Sequence, residues 1–191
     1  MRTLLNLTMF LFCGLALGYC TADYSMQEGL ASVSVRNGSW VTWPSAGSTN
    51  ADPYTRAHFA ASGHLPLTAF EAVTYRADTD DTGEGLDQSC EYIVEGRAPN
   101  ARWWSLTAYA KDLRTMKNPA GRYSFNSRNL VFTAQGEFRI VLAADARPGN
   151  WLPLQKSGGF QLTFRLYNPD PEIRNNPSDA DLPKIKKVVC Q

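Results

Sequence analysis

A strictly alternating run of apolar and polar residues, Gly159–Tyr167, constrains the fold more than any other segment of the chain. Its apolar positions are Phe160, Leu162, Phe164 and Leu166. Because successive side chains of a strand point to opposite faces, this pattern predicts a half-buried antiparallel strand. Shorter segments of this kind, bounded by turn residues, predict further strands at residues 27–36, 39–43, 69–78, 91–95, 101–110, 130–133 and 137–143. Asn37-Gly38, a strong turn signal, separates the first two of them.

A helix interrupts the predicted strands. Asp52 and Pro53 suit the N-cap and the first position of a helix, and Gly63 is suited to end it. We therefore expect a short helix over Pro53–Ser62. Short strands with turns between them and one short helix favour a β-sandwich, in a single domain over residues 23–191 with a proline-rich C-terminal tail, Pro169–Pro183.

Residues 1–22 form an apolar leader that we expect to be helical. Leu4–Tyr19 is almost wholly apolar and follows one cation, Arg2. This length fits the hydrophobic region of a signal peptide, and continuation through Ala22 approaches the roughly twenty residues of a membrane span. Arg2 favours a cytoplasmic N-terminus and an exported remainder. We expect a signal anchor in the inner membrane with a periplasmic domain, or, after cleavage, a soluble periplasmic domain.

The cysteines divide between the leader and the domain. Cys13 and Cys20 lie in or beside the apolar segment, which leaves Cys90 and Cys190 in the exported part. Two lone cysteines in an oxidising compartment predict a disulfide between them, and this bridge would hold the proline-rich tail to the domain. The alternative is two unrelated buried thiols.

Charge and composition argue against a nucleic-acid partner, a metal site and a cofactor. A net charge of +1 provides no basic stripe for a nucleic acid. A small basic cluster, Lys184, Lys186 and Lys187, is expected to be a solvated tail. With His58 and His64 as the only histidines and no Cys-x-x-Cys pair, we expect no metal site and no cofactor. The expected partners are the membrane, through the leader, and a protein or small ligand whose identity the sequence does not give.

Several motifs occur in order through the exported part: Asp52–Ala57, Glu71, Asp80–Gly83, Arg102–Tyr109, Asn118–Ser124, Asn150–Pro153 and Leu162–Tyr167. Together they make the chain resemble the bacterial family called domain of unknown function 1214, over nearly the whole exported part. The resemblance is to its short, membrane-tethered members, and it implies a jelly-roll type of antiparallel β-sandwich. It implies no chemistry, because the family has no settled activity.

A tryptophan-bearing face is the candidate ligand site. Trp103 and Trp104 are adjacent in a predicted strand, so they must point to opposite faces, and one lies on the outer face unless another element covers it. An uncovered tryptophan beside polar side chains would form a platform for a carbohydrate or lipid fragment. The candidate ligand-binding residues are Trp104, Asn118, Arg122, Tyr123 and Trp151. The alternative is that the helix and the tail cover this face.

Glu71 is the candidate buried acid. It falls on the same predicted strand face as Val73 and Tyr75, where alternation predicts burial. Because a buried carboxylate needs a cation or hydrogen-bond donors, or else its pKa rises, Glu71 indicates a structural ion pair with an arginine or an acid in a cleft.

Two further segments carry weak chemical patterns. Ser105 lies inside a predicted strand and lacks the glycine-flanked turn that exposes a nucleophilic serine. The acidic segment 78–87 resembles a calcium loop, but its twelfth position is Ser89 where a glutamate is required, so it predicts a solvated turn.

Three functions follow from these patterns. The first is a non-catalytic interaction or structural module tethered to the inner membrane, which predicts an exposed apolar patch. The second is a small-ligand binding domain that uses the tryptophan-bearing face. The third is an enzyme built around Glu71, which requires that residue to be buried in a pocket.

Overall fold

The alternating run forms a central strand in the computed structural model, which describes residues 2–28, 31–63 and 65–190. The strands of the described part are β1 (Val35–Asn37), β2 (Trp40–Thr42), β3 (Ala72–Ala77), β4 (Cys90–Arg97), β5 (Ala101–Ala110), β6 (Ser124–Asn126), β7 (Glu137–Ala143), β8 (Asn150–Pro153), β9 (Phe160–Pro169) and β10 (Lys184–Cys190). The helices are α1 (Arg2–Glu28), α2 (Pro53–Ala61) and α3 (Pro171–Asn175).

These strands form two sheets. One has the strand order β1-β2-β3-β9-β5-β6, and the other has the order β10-β4-β7-β8. Neighbouring strands are antiparallel in every pair except β7 and β8, which are parallel. The mainly β class is therefore confirmed, with one sheet mixed where an antiparallel sandwich was expected. The finer jelly-roll connectivity stays a prediction.

Aromatic contacts join the two sheets through a common core. The rings of Trp104 on β5 and Phe138 on β7 lie 4.9 Å apart, and those of Tyr92 on β4 and Phe160 on β9 lie 5.6 Å apart. Each pair therefore bridges from one sheet to the other at the distance that aromatic rings favour. The inner faces of the two sheets pack together as a sandwich, as the strand pattern predicts.

The central strand β9 is buried on both faces, where the alternation predicted a half-buried strand. Its inner face carries Leu162 and Phe164, which are fully buried. On its outer face Gln161 and Thr163 are also buried, at 2% and 4% exposure. The outer residues are covered because α2 and the loops around it lie across this side of the six-stranded sheet.

The leader forms the first part of α1, which continues to Glu28. The predicted strand over residues 27–36 is therefore wrong for most of the residues that the structure describes in this range, of which only Val35 and Arg36 lie in a strand. Residues 29–30 lie outside the described part. The hairpin itself is as expected: Asn37 pairs with Trp40 across a two-residue turn, and Gly38 has the positive φ of 60° that such a turn requires.

Helix α2 begins and ends where the sequence predicts. The Asp52 carboxylate accepts hydrogen bonds from the backbone N–H groups of Tyr54 and Thr55, with Pro53 as first helical residue. At the other end, Gly63 adopts a φ of 67° and ends the helix. The helix presents Thr55, His58 and Phe59 to the domain.

The proline-rich segment is an integral part of the fold. Buried side chains of the six-stranded sheet donate hydrogen bonds to its carbonyls, from Trp40 Nε1 to Pro183 at 2.8 Å and from the Tyr75 hydroxyl to Pro177 at 3.0 Å. The segment packs closely enough that a Cβ on Gly96 would lie 2.9 Å from the Pro183 Cα.

The lysines near the C-terminus are exposed as expected, but they lie in the strand β10 and not in a tail. Lys186 pairs with Glu95 at 2.6 Å, and Lys187 pairs with Glu84. Ile185, which precedes these two lysines in β10, is fully buried in the core. β10 is the edge strand of its sheet, where exposed lysines discourage pairing with other chains.

The predicted disulfide is present between Cys90 on β4 and Cys190 on β10. The two cysteines face each other as paired residues of adjacent antiparallel strands. Cys13 and Cys20 are free and exposed on α1. The bridge fixes the last strand to the four-stranded sheet.

Replacing both bridged cysteines by serine is expected to lower the free energy of unfolding by about 4–5 kcal/mol, because the bridge closes a loop of about a hundred residues. Denaturant unfolding with and without reductant measures the difference. The matched control, Cys13→Ser with Cys20→Ser, should unfold like the parent chain. Equal stability of all three proteins would contradict a stabilising bridge.

Replacing Asp52 by alanine is expected to cost about 1 kcal/mol of stability, because α2 loses its N-cap. The hydroxyl and backbone N–H of Thr55 lower the pKa of the Asp52 carboxyl. A lowered folded pKa means that the stabilisation is present above the unfolded pKa and is lost as the pH falls through the folded pKa.

The stability difference between the parent and Asp52→Ala should therefore narrow between neutral pH and about pH 3. Urea unfolding over this range measures it, with Asp52→Asn retaining part of the cap without the titration. A pH-independent difference would refute the role of the carboxylate charge.

Candidate functional site

The tryptophan-bearing face is not organised as predicted, because Trp104 points into the core. Its side chain is 1% exposed and contacts the rings of Phe138 and Phe164 at 4.9 and 5.3 Å. Its neighbour Trp103 takes the outer face and packs on Tyr167 at 4.9 Å. Trp104 is therefore a core residue, and its assignment to a ligand site is wrong.

Three of the other candidates do come together. Asn118 closes its own loop, since its Oδ1 accepts from the Arg122 backbone N–H and its Nδ2 donates to the Arg122 carbonyl at 2.8 Å. The Arg122 guanidinium donates to the Trp151 carbonyl at 2.8 Å and stacks 5.3 Å from the Phe125 ring. Tyr123 is 40% exposed next to this loop. These contacts tie a surface loop to β8 and occupy the polar groups that a ligand would need.

Glu71 is exposed, so the prediction of a buried acid is wrong. The backbone N–H groups of Glu71 and Ala72 both donate to the Thr68 carbonyl in a tight turn, and β3 starts only at Ala72. The alternation that correctly buries Val73 and Tyr75 therefore does not extend back to Glu71. Its contact is a long hydrogen bond of 3.5 Å from the Thr68 hydroxyl.

The acidic segment 78–87 uses its carboxylates to shape turns. Asp80 Oδ1 accepts from the backbone N–H groups of Thr82 and Glu84. Asp87 accepts from Ser89, and these bonds lower the pKa of the Asp87 carboxyl. Among the described residues, no three His, Cys, Asp or Glu side chains converge as metal ligands.

A groove on the outer side of the six-stranded sheet was not predicted. It holds about 40 Å³ of space wide enough for a water molecule, within about 560 Å³ that includes open solvent, between the sheet and a cover made of α2 and two loops. Its walls are mostly apolar and include Trp43, Ala46, Phe59, Leu65 and Leu67. The segment Leu65–Leu67, called the strap below, forms one rim.

The strap is held in place by backbone packing. Gly47 has a φ of 77°, and a Cβ there would lie 2.6 Å from the Leu67 carbonyl carbon. Only glycine therefore allows the two loops to approach this closely. Leu65 and Leu67 remain 91% and 45% exposed, so the rim of the groove is an apolar surface in contact with solvent.

Two arginines form the floor of the groove. In the pairing of β3 with β9, Arg76 lies opposite Thr163 and Arg165 lies opposite Thr74. Diagonal neighbours of this kind are roughly 7–8 Å apart on one face of a sheet. Both side chains line the groove. The Arg165 guanidinium donates to neutral oxygens, the Thr74 hydroxyl at 3.2 Å and the Tyr167 hydroxyl at 3.4 Å.

A chain of polar contacts connects this floor to α1. The Met26 carbonyl lies 2.8 Å from His58 Nδ1, and His58 Nε2 lies 3.2 Å from Arg76 Nη1. Because a guanidinium only donates, Nε2 accepts and the proton of a neutral imidazole resides on Nδ1. Arg76 Nη2 in turn donates to Gln161 Oε1 at 2.7 Å. His58 is thus a structural link; His64 lies outside the described residues.

Several buried polar atoms at the groove have no hydrogen-bond partner within the described part of the chain. They are Trp43 Nε1, Thr163 Oγ1 and, beside Arg76, Gln161 Nε2. Trp43 and Thr163 line the groove directly. Such atoms carry a free-energy cost unless something else satisfies them. The floor therefore offers donors under an apolar rim, an arrangement suited to binding a ligand.

Sequence signals for this groove were present but weak. The apolar strap follows a glycine, in a segment where loops are normally polar, and Thr163 and Arg165 are the polar positions of the alternating run. Alternation assigned those positions to solvent, because it cannot reveal a third layer over the sheet.

Comparison with solved structures finds two bacterial proteins that this chain is similar to. No curated protein matches this chain. The crystal structure of the VPA0106 protein from Vibrio parahaemolyticus is similar, with 28% identity and a TM-score of 0.62, covering 73% of this chain and 36% of that protein. An uncharacterised protein from Burkholderia cenocepacia has 18% identity and a TM-score of 0.46, covering 92% and 42%. The chain thus spans less than half the length of either structure.

The family model described as "Protein of unknown function (DUF1214)" matches residues 71–171. This range runs from the turn before β3 to the start of α3 and includes both sheets of the sandwich apart from β1, β2 and β10. The match covers 101 of the 191 residues, and the chain belongs to this family.

Proposed function

We propose that this chain is a non-catalytic interaction or structural module of the bacterial cell envelope, held at the inner membrane by α1 with the β-sandwich in the periplasm. The observation that carries the proposal is the way α1 enters the domain. Residues 2–21 are exposed along their whole length, and the following turn is half-buried against the domain.

The dimensions of α1 fit this arrangement. Twenty exposed residues at 1.5 Å each cover about 30 Å, the thickness of a bilayer's hydrocarbon core. By length and composition, Arg2–Met26 qualifies as a membrane span. Because His58 contacts the Met26 carbonyl, a membrane-spanning α1 would hold α2 and the groove at the membrane surface.

The disulfide supports the periplasmic location. A bridge between Cys90 and Cys190 persists in an oxidising compartment and is rare in the cytoplasm. Arg2 on the short side of the helix favours export of the remainder. Both features agree on which side of the membrane the sandwich lies.

An exposed apolar patch supports the interaction role. Leu65 and Phe70 are 91% and 75% exposed, and the Arg174 guanidinium stacks 4.9 Å from the Phe70 ring. Both side chains belong to the loop between α2 and β3, and exposed apolar side chains on one loop favour contact with a partner. Leu65 also lines the groove.

Small-ligand binding is a second candidate function, and the groove favours it. The ligand site is then at Trp43, on the other side of the sheet from Trp104. The enzyme hypothesis based on a buried Glu71 has lost its premise, because Glu71 is on the surface.

A fusion of alkaline phosphatase to the C-terminus is expected to be active and to sediment with membranes. The phosphatase folds only in an oxidising compartment. Deleting residues 2–21 should abolish the activity, while replacing them with a cleavable signal peptide should move it to the soluble periplasmic fraction.

The parent fusion itself distinguishes the two fates of the leader. Membrane-bound activity that resists high salt and alkaline carbonate supports an uncleaved anchor. Activity in the soluble periplasm, with a mass lacking residues 1–22, would show cleavage and refute the tether. An inactive but stable fusion would refute export.

A further inference from the structure

We propose that the groove binds a single-chain amphiphile with an anionic oxygen head group, a carboxylate or a phosphate, whose head lies on the arginine floor and whose chain lies against the strap. The inference rests on the second candidate function, small-ligand binding, and does not depend on the anchor. The floor of this one cavity is polar and carries arginines, whereas its walls are mostly apolar.

The donor groups in the groove select the head group. Trp43 Nε1 is a donor only, and so is the guanidinium of Arg165. Thr163 is 4% exposed, and its hydroxyl has no hydrogen-bond partner among the described residues. A group that accepts several hydrogen bonds from these donors must carry oxygens with free lone pairs. Carboxylates and phosphates meet this requirement, whereas an alkyl ammonium does not.

The charge of the floor also favours an anionic head group. The Arg165 guanidinium is bonded to two neutral hydroxyls, and no carboxylate of the described part forms an ion pair with it. Arg76 lies diagonally across from it on the same face. An anionic head bound to Arg165 would neutralise its positive charge in a partly enclosed, low-dielectric site, where the interaction is stronger than in water.

The walls select the rest of the ligand. Phe59, Ala46 and the strap offer apolar surface directly above the floor. Leu65 is almost fully exposed at the rim, so a chain that leaves the groove there would cover it. Each buried methylene contributes roughly 0.8 kcal/mol, which makes an alkyl chain a better fit than a small inorganic anion.

The test uses the full chain in nanodiscs of zwitterionic lipid, with 2-bromodecanoate as the probe, because its bromine lies beside the carboxylate head. Bromine quenches a tryptophan that it contacts, and Trp43 lines the groove. Saturable quenching is expected in the parent chain and not in Trp43→Phe, which reports the background from probe dissolved in the bilayer. Decanoate and decyl phosphate should each relieve the quenching in competition. The concentrations at which they do so show which of the two head groups binds more tightly.

Variants of the floor locate the site. Arg165→Gln is expected to weaken probe binding about tenfold or more, because a charge-assisted hydrogen bond is lost. Thr163→Val keeps the shape and should weaken binding by a smaller factor. The matched control is Arg97→Gln, which removes the same charge from the end of β4 in the other sheet, where Arg97 is well exposed. Thermal unfolding verifies that each variant is folded.

The outcomes are decisive in both directions. The proposal is supported if the quenching requires Arg165, persists in Arg97→Gln and is relieved by either anion. Equal quenching in the parent and in Trp43→Phe would overturn it, as would relief by decanol or decyltrimethylammonium as strong as that by decanoate. Because the assay ignores cellular location, its failure would leave the fusion experiment unaffected, and the converse also holds.

Discussion

Burial of both faces of β9 is the constraint on which the rest of the molecule depends. Its inner residues, such as Phe164, fill the space between the sheets, and removing water from so much apolar surface is the main stabilising term of the fold. Its outer residues include Gln161 and Thr163, which are buried although polar. Buried polar side chains under a covering layer need hydrogen-bond partners, so the cover and the sheet are joined by hydrogen bonds at specific points. At the groove some of these side chains have no such partner among the described residues.

The cover is also where the leader helix meets the domain. The contacts from Met26 through His58 and Arg76 to Gln161 run from the end of α1, across α2, to the central strand. Each contact has polar partners of defined donor and acceptor role, which fixes orientation as well as proximity. A helix joined in this way restricts the rotation of the domain relative to α1. The groove consequently keeps a constant relation to the helix.

Local signals in the sequence predicted the elements that depend on neighbouring residues. The alternation at β9, the Asp52 cap of α2, the turn at Gly38 and the Cys90–Cys190 bridge all follow from short patterns or from counting. The two-sheet core followed from these elements together.

Features that depend on register or on distant segments were not predictable in this way. Which of two adjacent tryptophans faces the core is decided by a one-residue register, and a shift of one exchanges the faces. Glu71 fell on the wrong side of a strand boundary by a single residue. The parallel pairing of β7 with β8, and the groove itself, arise from contacts between segments that no local pattern connects.

The floor and the walls of the groove come from different parts of the chain, and only the floor belongs to the strands of the sandwich core. Its floor belongs to β3 and β9, inside the range matched by the family model, and these strands cannot change register without disturbing the core. Its walls come from Trp43, α2 and the strap, all before residue 71 and outside that range. Changes in the strap would alter the shape of the groove and leave the sandwich intact, since the strap contributes rim and not core. The floor sets the charge that a ligand must carry, and the walls set its size.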